Sequence, residues 1–329
     1  MLTNIFVTRS IPDSGIKMLK KHRGIKLDIY EHDKKIPRKE LLHRVRGVDI
    51  LLSLLTEEIN AEVFDAAGPQ LKMIANYAVG FNNIDVGEAK KRGIIVTNTP
   101  GQEISETVAE HAITLIFGLA HRLVETDRFT RAGKYHGWGP QMFLGTDVYG
   151  KTLGVIGTGG IGEALIRRMH DGFGVHIYYH DVQRKPELEK KFGARYASKM
   201  ELLKKSDFVS LHVPLLPSTT HLISTKELKA MKKTAFLINT ARGPVVDEKS
   251  LVRALQKKEI AGAGLDVYEC EPFIDCDPKD TLELRKLPNV ILTPHTASAT
   301  IETRQAMSTR AAENILAFLQ GKQPPNQLC

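Results

Sequence analysis

Three residues of this 329-residue chain have types and positions suited to chemistry: Arg242, Glu271 and His295. Each stands at or just past a short apolar run. Arg242 follows Phe236-Leu-Ile-Asn-Thr-Ala, Glu271 ends Gly264-Leu-Asp-Val-Tyr-Glu-Cys-Glu, and His295 follows Asn289-Val-Ile-Leu-Thr-Pro. In open parallel sheets ligands bind beyond the carboxyl ends of strands, so the three are expected to face one crevice. Their types match the demands of hydride transfer to a carbonyl. The carbonyl oxygen becomes an alkoxide and needs a proton, which histidine can supply near neutral pH. A neighbouring carboxylate favours the imidazolium and orients the ring. Arginine brings a permanent charge and a planar fork for a substrate carboxylate. Spacing alone leaves other readings open: a surface ion pair for Arg242, a solvated turn acid for Glu271, a capping or core histidine for His295.

A second set of residues would hold a partner for that chemistry. The apolar run Leu153–Ile156 leads straight into Gly157-Thr158-Gly159-Gly160-Ile161-Gly162, a helical pattern follows, and a second apolar run, Val175–Tyr179, ends near Asp181. The first glycine permits a sharp turn out of the strand, the second lets a pyrophosphate approach the backbone, and the third lets helix and sheet pack closely. The helix N-terminus offers unpaired N–H groups and partial positive charge to phosphates. Asp181 is 19 residues past Gly162, where an acid can read the adenosine ribose hydroxyls. A carboxylate there repels a 2′-phosphate, so NAD is expected over NADP. Arg184 and Lys185 follow closely and could soften that preference, and an ordinary loop acid is the alternative for Asp181.

These residues need an α/β scaffold. Strands are expected at Ile5–Thr8, Lys26–Tyr30, Ile50–Leu54, Met73–Asn76 and Ile94–Val96, with helices around 12–21, 39–46, 60–66 and 86–92 between them. Such alternation predicts a parallel sheet covered by helices. A long helix, 104–122, is apolar over much of its surface and should be buried. The Gly-, Pro- and aromatic-rich stretch 133–150 reads as an ordered loop. Further strands are expected at Phe208–Val213, Ala235–Asn239, Gly262–Asp266 and Val290–Thr293, with helices near 197–205, 225–231, 248–256 and 302–320. The fold class is therefore α/β with two doubly wound parallel-sheet domains. Because the glycine motif lies mid-chain, residues 101–296 are expected to form a dinucleotide-binding Rossmann domain inserted in a substrate domain made of 1–100 and 297–329.

Composition narrows the function classes. The formal charge is +8, yet lysines and arginines are scattered among acids and apolar residues. That pattern gives solvated helix faces rather than a nucleic-acid stripe. The three cysteines, Cys270, Cys276 and Cys329, form no CxxC pair. A disulfide framework is not expected, which fits a reducing cytosol. No apolar run reaches the ~20 residues of a membrane span, and no signal-peptide pattern opens the chain. A cytoplasmic protein without metal is expected.

The motifs together resemble those of the D-isomer-specific 2-hydroxyacid dehydrogenases. The likeness rests on Gly157–Gly162, Asn239-Thr-Ala-Arg242-Gly-x-Val-Val-Asp247, Gly264-Leu-Asp-Val-Tyr-x-x-Glu271-Pro272 and Thr293-Pro-His295-x-x-Ser298-Ala-Thr300. It extends to Asn76-Tyr-Ala-Val-Gly80-Phe-Asn-Asn-Ile-Asp85, Val96-Thr-Asn-Thr-Pro100 and Val108-Ala-Glu110-His-Ala. The resemblance implies a flavodoxin-like substrate domain. It implies that Arg242 binds and polarises the substrate, that His295 is the acid/base, and that Glu271 is its partner. It places Leu55, the Val79 and Gly80 backbone, Trp138 and Ser298 around the substrate. It places Thr107, Thr158, Gly160, Ile161, His212, Val213, Pro214, Thr219, Thr240, Ala241, Arg242, Asp266 and His295 around the cofactor, with Asp266 on the nicotinamide amide. Thr107 could equally be a buried helix threonine, Pro214 a strand terminator and Trp138 a packed loop residue.

Within the family the nearest likeness is to glyoxylate/hydroxypyruvate reductases, through Trp138, Leu144-Gly145, Tyr149, Gly150-Lys-Thr and Arg304. It implies a small 2-oxo/2-hydroxy acid as substrate. It also implies a homodimer with the 104–122 helix and the following loop at the interface. Phosphonate (phosphite) dehydrogenase and 3-phosphoglycerate dehydrogenase are related alternatives. The phosphite enzyme has a lysine where Val79 stands. A non-catalytic NAD(H)-sensing protein is the alternative from another class.

Overall fold

The computed structural model describes residues 2–271 and 284–329. Pro272 of the Glu-Pro motif and Cys276 lie outside them. The chain forms two compact units, Met1–Ile104 with Ala299–Cys329, and Ser105–Ser298.

The first unit begins as a strand–helix alternation: β1 (Thr3–Val7), α1 (Asp13–Lys21), β2 (Ile25–Ile29), α2 (Arg38–Arg44), β3 (Ile50–Leu54), α3 (Ala61–Ala67), β4 (Met73–Tyr77), α4 (Val86–Lys91) and β5 (Ile95–Thr97). The strands are parallel in the order β2-β1-β3-β4-β5, the flavodoxin-like arrangement. β3 and β4 are interior and almost wholly buried, which explains their mostly apolar sequences, interrupted only by buried Ser53 and Asn76 and by Tyr77. Edge strand β2 alternates half-buried with exposed positions instead.

The second unit holds α5 (Gln102–Ala120, which starts three residues before the boundary), α6 (Leu123–Arg131), β6 (Thr152–Ile156), α7 (Gly160–Phe173), β7 (His176–His180), α8 (Pro186–Phe192), β8 (Arg195–Tyr196), α9 (Lys199–Lys205), β9 (Phe208–Leu211), α10 (Thr225–Ala230), β10 (Phe236–Asn239), α11 (Glu248–Gln256), β11 (Gly262–Leu265) and β12 (Val290–Leu292). The chain then returns to the first unit through α12 (Ile301–Leu319). There α12 crosses α1 so closely that a side chain on Gly15 would strike the Ser308 carbonyl at 2.0 Å. Ser308 Oγ accepts from Gly15 N at 3.1 Å at this crossing.

The second sheet is parallel in the order β12-β11-β10-β9-β6-β7-β8. Counted from β6, this is the dinucleotide-fold order with a seventh strand added. The expected fold class is therefore found. The single helix expected over 104–122 ends instead at Ala120. Arg122 adopts a left-handed φ of 55°, and α6 starts at Leu123 with no buried residue. The cysteine reading also needs correction, because Cys270 is disulfide-bonded while Cys329 is free. Among the described residues no helix is long and apolar enough to cross a membrane.

Candidate active site

Strand register lines up the residues singled out from the sequence. Ile156 pairs with His180 on β7 and with Leu211 on β9. Leu211 pairs with Asn239, Asn239 with Leu265, and Leu265 with Leu292. The residues at or just past these strand ends, Gly157, Asp181, His212, Thr240, Asp266 and Thr293, therefore stand in one row along the carboxyl edge of the sheet. The strand order reverses between β6 and β9, the position where such sheets bind ligands.

Gly157 leaves β6 with φ +91°, and a Cβ there would meet the His212 carbonyl carbon at 2.7 Å. A Cβ on Gly162 would sit 2.1 Å from the Gly157 carbonyl oxygen, so α7 can start against β6 only without a side chain at that position. At Gly159 a Cβ would meet nothing within 4 Å. The backbone at the mouth of α7 is open to an approaching group, next to the unpaired N–H groups of a helix N-terminus. We expect Gly162→Ala to cost about 1–3 kcal/mol by overpacking and to weaken NADH binding, read by thermal unfolding and nucleotide titration. A wild-type Tm and affinity would contradict this packing role.

Two buried polar atoms along the same edge lack a partner among the described residues: Thr240 Oγ1 and His212 Nδ1. Buried polar groups are nearly always satisfied, so an external partner is called for here. His212 Nε2 is bound to Ser210 Oγ at 2.9 Å. Burial pushes its pKa down to about 3, so the ring is neutral at working pH. Open glycine, helix N-terminus, strand-end acid and these orphaned atoms together suit a dinucleotide. Val213 and Thr107 are half-buried, Ala241 is buried and Pro214 is exposed. Thr219 Oγ1 is engaged locally, accepting from Leu216 N at 2.8 Å and donating to Pro214 O at 2.6 Å.

The proposed catalytic residues also converge within this unit. His295 Nδ1 lies 3.0 Å from Glu271 Oε2. A carboxylate only accepts, so Nδ1 carries the hydrogen and Nε2 is left as the working nitrogen. Tyr268 N donates to Glu271 Oε1 at 3.2 Å, which holds the carboxylate at its other oxygen. His295 has a left-handed φ of 55°, a conformation costly for a residue with a Cβ. It persists because the turn is over-determined. His295 N donates to Asp266 O at 2.9 Å and to Thr293 O at 3.1 Å.

Asp266 anchors that turn and is fully buried. Its Oδ1 accepts from Thr293 Oγ1 at 2.6 Å and Thr296 N at 2.8 Å, and its Oδ2 accepts from Ala297 N at 2.8 Å. His111 Nε2 stands 3.0 Å from Thr293 Oγ1. The sequence reading gave Asp266 a cofactor contact but did not foresee its structural role, and it quoted Thr293 and His111 in their motifs without assigning them one. Ser298 closes the same segment, half-buried.

Burial lowers the pKa of Arg242, outweighing the charge of Glu271, which favours the guanidinium. It remains a cation at any working pH. Its turn is held by Asn239, whose side chain donates to Arg242 O at 2.9 Å and accepts from Ala241 N at 3.0 Å. Asn239 is another residue that the sequence reading quoted without assigning a role. A Cβ on Gly243 would lie 1.8 Å from the Tyr268 carbonyl oxygen. Glycine there lets the Arg242 turn press against the turn that carries Glu271.

The remaining candidates lie on other segments. In the first unit, Leu55 follows β3, where buried Glu57 accepts from Thr8 Oγ1 at 2.7 Å and Leu54 N at 3.0 Å. The Val79 carbonyl accepts from Asn98 Nδ2 at 2.7 Å, and the Gly80 carbonyl from Asn76 Nδ2 at 2.9 Å. In a trans peptide the N–H points opposite to the C=O, so the inward turn of Val79 O aims the Gly80 N–H the other way. Trp138, in the second unit, is 81% exposed.

Comparison with known proteins places this arrangement. A profile of the D-isomer specific 2-hydroxyacid dehydrogenase NAD binding domain matches residues 113–297. A Korarchaeum cryptofilum protein named glyoxylate reductase is 50% identical over 327 residues, covering 99% of this chain and 96% of its own. A solved structure from Thermus thermophilus is 40% identical with a TM-score of 0.91, covering 99% of this chain and 100% of that one. An NADPH-dependent glyoxylate/hydroxypyruvate reductase from Sinorhizobium meliloti, solved with NADP and malonate, is 31% identical with a TM-score of 0.85, covering 100% and 97%. The chain belongs to the D-isomer specific 2-hydroxyacid dehydrogenase family. It is an NAD-binding oxidoreductase that interconverts 2-oxo and 2-hydroxy acids.

Proposed function

We propose that this enzyme reduces glyoxylate with NADH and takes hydroxypyruvate as a second substrate. The observation that carries the reading is the pairing of His295 Nδ1 with Glu271 at 3.0 Å, on the same carboxyl edge as the glycine turn. NADH, when bound at the glycine turn, would supply the hydride. Arg242 binds the substrate carboxylate with its fork and polarises the carbonyl. His295 Nε2 gives up its proton to the oxygen as negative charge develops there. Glu271 holds the ring and stabilises the imidazolium before transfer. Reduction consumes that proton, so its rate falls as pH rises, and oxidation follows the opposite trend.

Leu55, Val79, Gly80, Trp138 and Ser298 are the substrate-binding residues of this proposal. Residues 1–100 with 297–329 form its substrate domain, and 101–296 its cofactor domain. Val79 brings no charge, which disfavours a doubly anionic inorganic substrate. The aldehyde of glyoxylate is small, and the 50% identical relative carries the name glyoxylate reductase. Initial rates with glyoxylate, hydroxypyruvate, pyruvate and phosphite, each with both cofactors, test the assignment. Glyoxylate with NADH should give the highest kcat/KM. Preference for phosphite or 3-phosphoglycerate would move the chain to another branch.

The assembly belonging to this reading is a homodimer in the cytoplasm. Helix α6 has no fully buried residue, and Leu123, Tyr135, Trp138, Leu144 and Tyr149 of the same stretch are all more than half exposed. An apolar patch of that density calls for a cover, and a second copy of the chain suits it. Light scattering should give twice the chain mass, whereas a monomer would remove Trp138 from any role in a neighbouring pocket.

A further inference from the structure

We infer that Thr158 sets the preference for NADH over NADPH by clamping Asp181, and that Glu189 reinforces it by holding Arg184. The inference rests on the dinucleotide reading above and adds the residues that decide which dinucleotide is taken.

The hydrogen bonds around the strand-end acid carry it. Asp181 Oδ2 accepts twice from one residue, from Thr158 N at 2.7 Å and from Thr158 Oγ1 at 2.7 Å. Asp181 Oδ1 accepts from Val182 N at 2.7 Å. Thr158 is completely buried, so no water competes for its hydroxyl. The carboxylate is tied at both oxygens and cannot swing aside without giving up these bonds. Burial opposes its ionisation, but the Thr158 bonds outweigh that and hold its pKa below the ordinary carboxylate value. A carboxylate has about four acceptor sites, so it still has room for a ribose hydroxyl. It has nothing to donate to a 2′-phosphate, and its fixed charge repels one.

The two cations that could reverse this preference are both engaged. Arg184 Nε and Nη2 donate to Glu189 at 2.7 and 2.6 Å. Glu189 also accepts from the Tyr179 hydroxyl at 2.7 Å, and these two partners push its pKa down to about 2. Lys185 Nζ donates to the Thr158 carbonyl. The same threonine thus holds the acid through its amide and hydroxyl, and a neighbouring lysine through its carbonyl. In this role Thr158 and Glu189 act through Asp181 and Arg184, which makes them positioning residues.

The test is equilibrium binding of NADH and of NADPH, followed by nicotinamide fluorescence on the full chain without any oxo acid. Thr158→Val keeps the shape and removes the hydroxyl. Losing one hydrogen bond to a charged group is expected to narrow the NADH-over-NADPH preference about tenfold or more. Thr158→Ser should restore the wild-type ratio, which a merely volume-filling role would not predict. Glu189→Gln should tighten NADPH while leaving NADH near its wild-type value, and it provides an independent readout if the valine variant folds poorly. Equal changes in both affinities on Thr158→Val, or a wild-type ratio in Glu189→Gln, would overturn the respective part. Wild-type protein that binds neither nucleotide would overturn the dinucleotide reading itself.

Discussion

His295→Ala is expected to lower kcat for glyoxylate reduction by about 10²–10⁴-fold, the usual worth of a positioned acid. The structure gives three reasons for so large an effect. The ring is bound at Nδ1 by Glu271 at 3.0 Å, so Nε2 is aimed rather than mobile. The residue is held at a positive φ by its own N–H bonds to Asp266 and Thr293, so its direction is built into the turn. Asp266 in turn fixes residues 293–297 through three bonds of 2.6–2.8 Å. NADH affinity should change little by comparison, because the glycine turn and Asp181 remain intact. Steady-state rates beside an NADH titration distinguish these effects. Near-normal turnover in the variant would show that another group delivers the proton.

Arg242→Ala is expected to act mainly on the oxo acid. Truncating an arginine that pairs with a substrate carboxylate in a desolvated site costs about 2–5 kcal/mol. That corresponds to a fall of about 30- to 5,000-fold in kcat/KM. Arg242→Lys should recover only part of the loss, since an ammonium keeps the charge but loses the planar fork. The Arg242 turn is tied by Asn239, so the substituted turn should stay in place. Kinetics in glyoxylate together with NADH binding provide the check. Equal weakening of oxo acid and NADH would assign Arg242 to the cofactor instead.

These two side chains were legible in the sequence because each follows a strand that periodicity marks clearly. The apolar runs before Arg242 and His295 became β10 and β12, and Gly157–Gly162 became the turn into α7. Buried parallel strands carry near-continuous apolar runs, which explains why β3 and β11 were placed within a residue. The parts that escaped had no such signal. Helix α6 has no fully buried residue, so no core-facing apolar run marks it. Strand β8 is two residues long and exposed. The break at Arg122 is a left-handed residue that composition does not announce.

At the site, the sequence showed which residue types were present but not their mutual bonds. Nothing in the spacing of Thr158 and Asp181, 23 residues apart, indicates a bond of 2.7 Å. Nothing in the sequence reveals that His295 adopts a positive φ, or that Asp266 is saturated by the turn it anchors. Those facts arise from packing between segments distant along the chain. The disulfide bond of Cys270 escaped for a similar reason, because an odd count and a missing CxxC pair do not exclude a single disulfide.

The most direct measurement is a single turnover. Enzyme preloaded with NADH is mixed with excess glyoxylate, and the loss of nicotinamide fluorescence is followed over a wide pH range. The account predicts stoichiometric oxidation of the bound NADH at a rate that falls as pH rises, because each turnover draws its proton from His295. No oxidation at any pH, or a rate flat across that range, would contradict it.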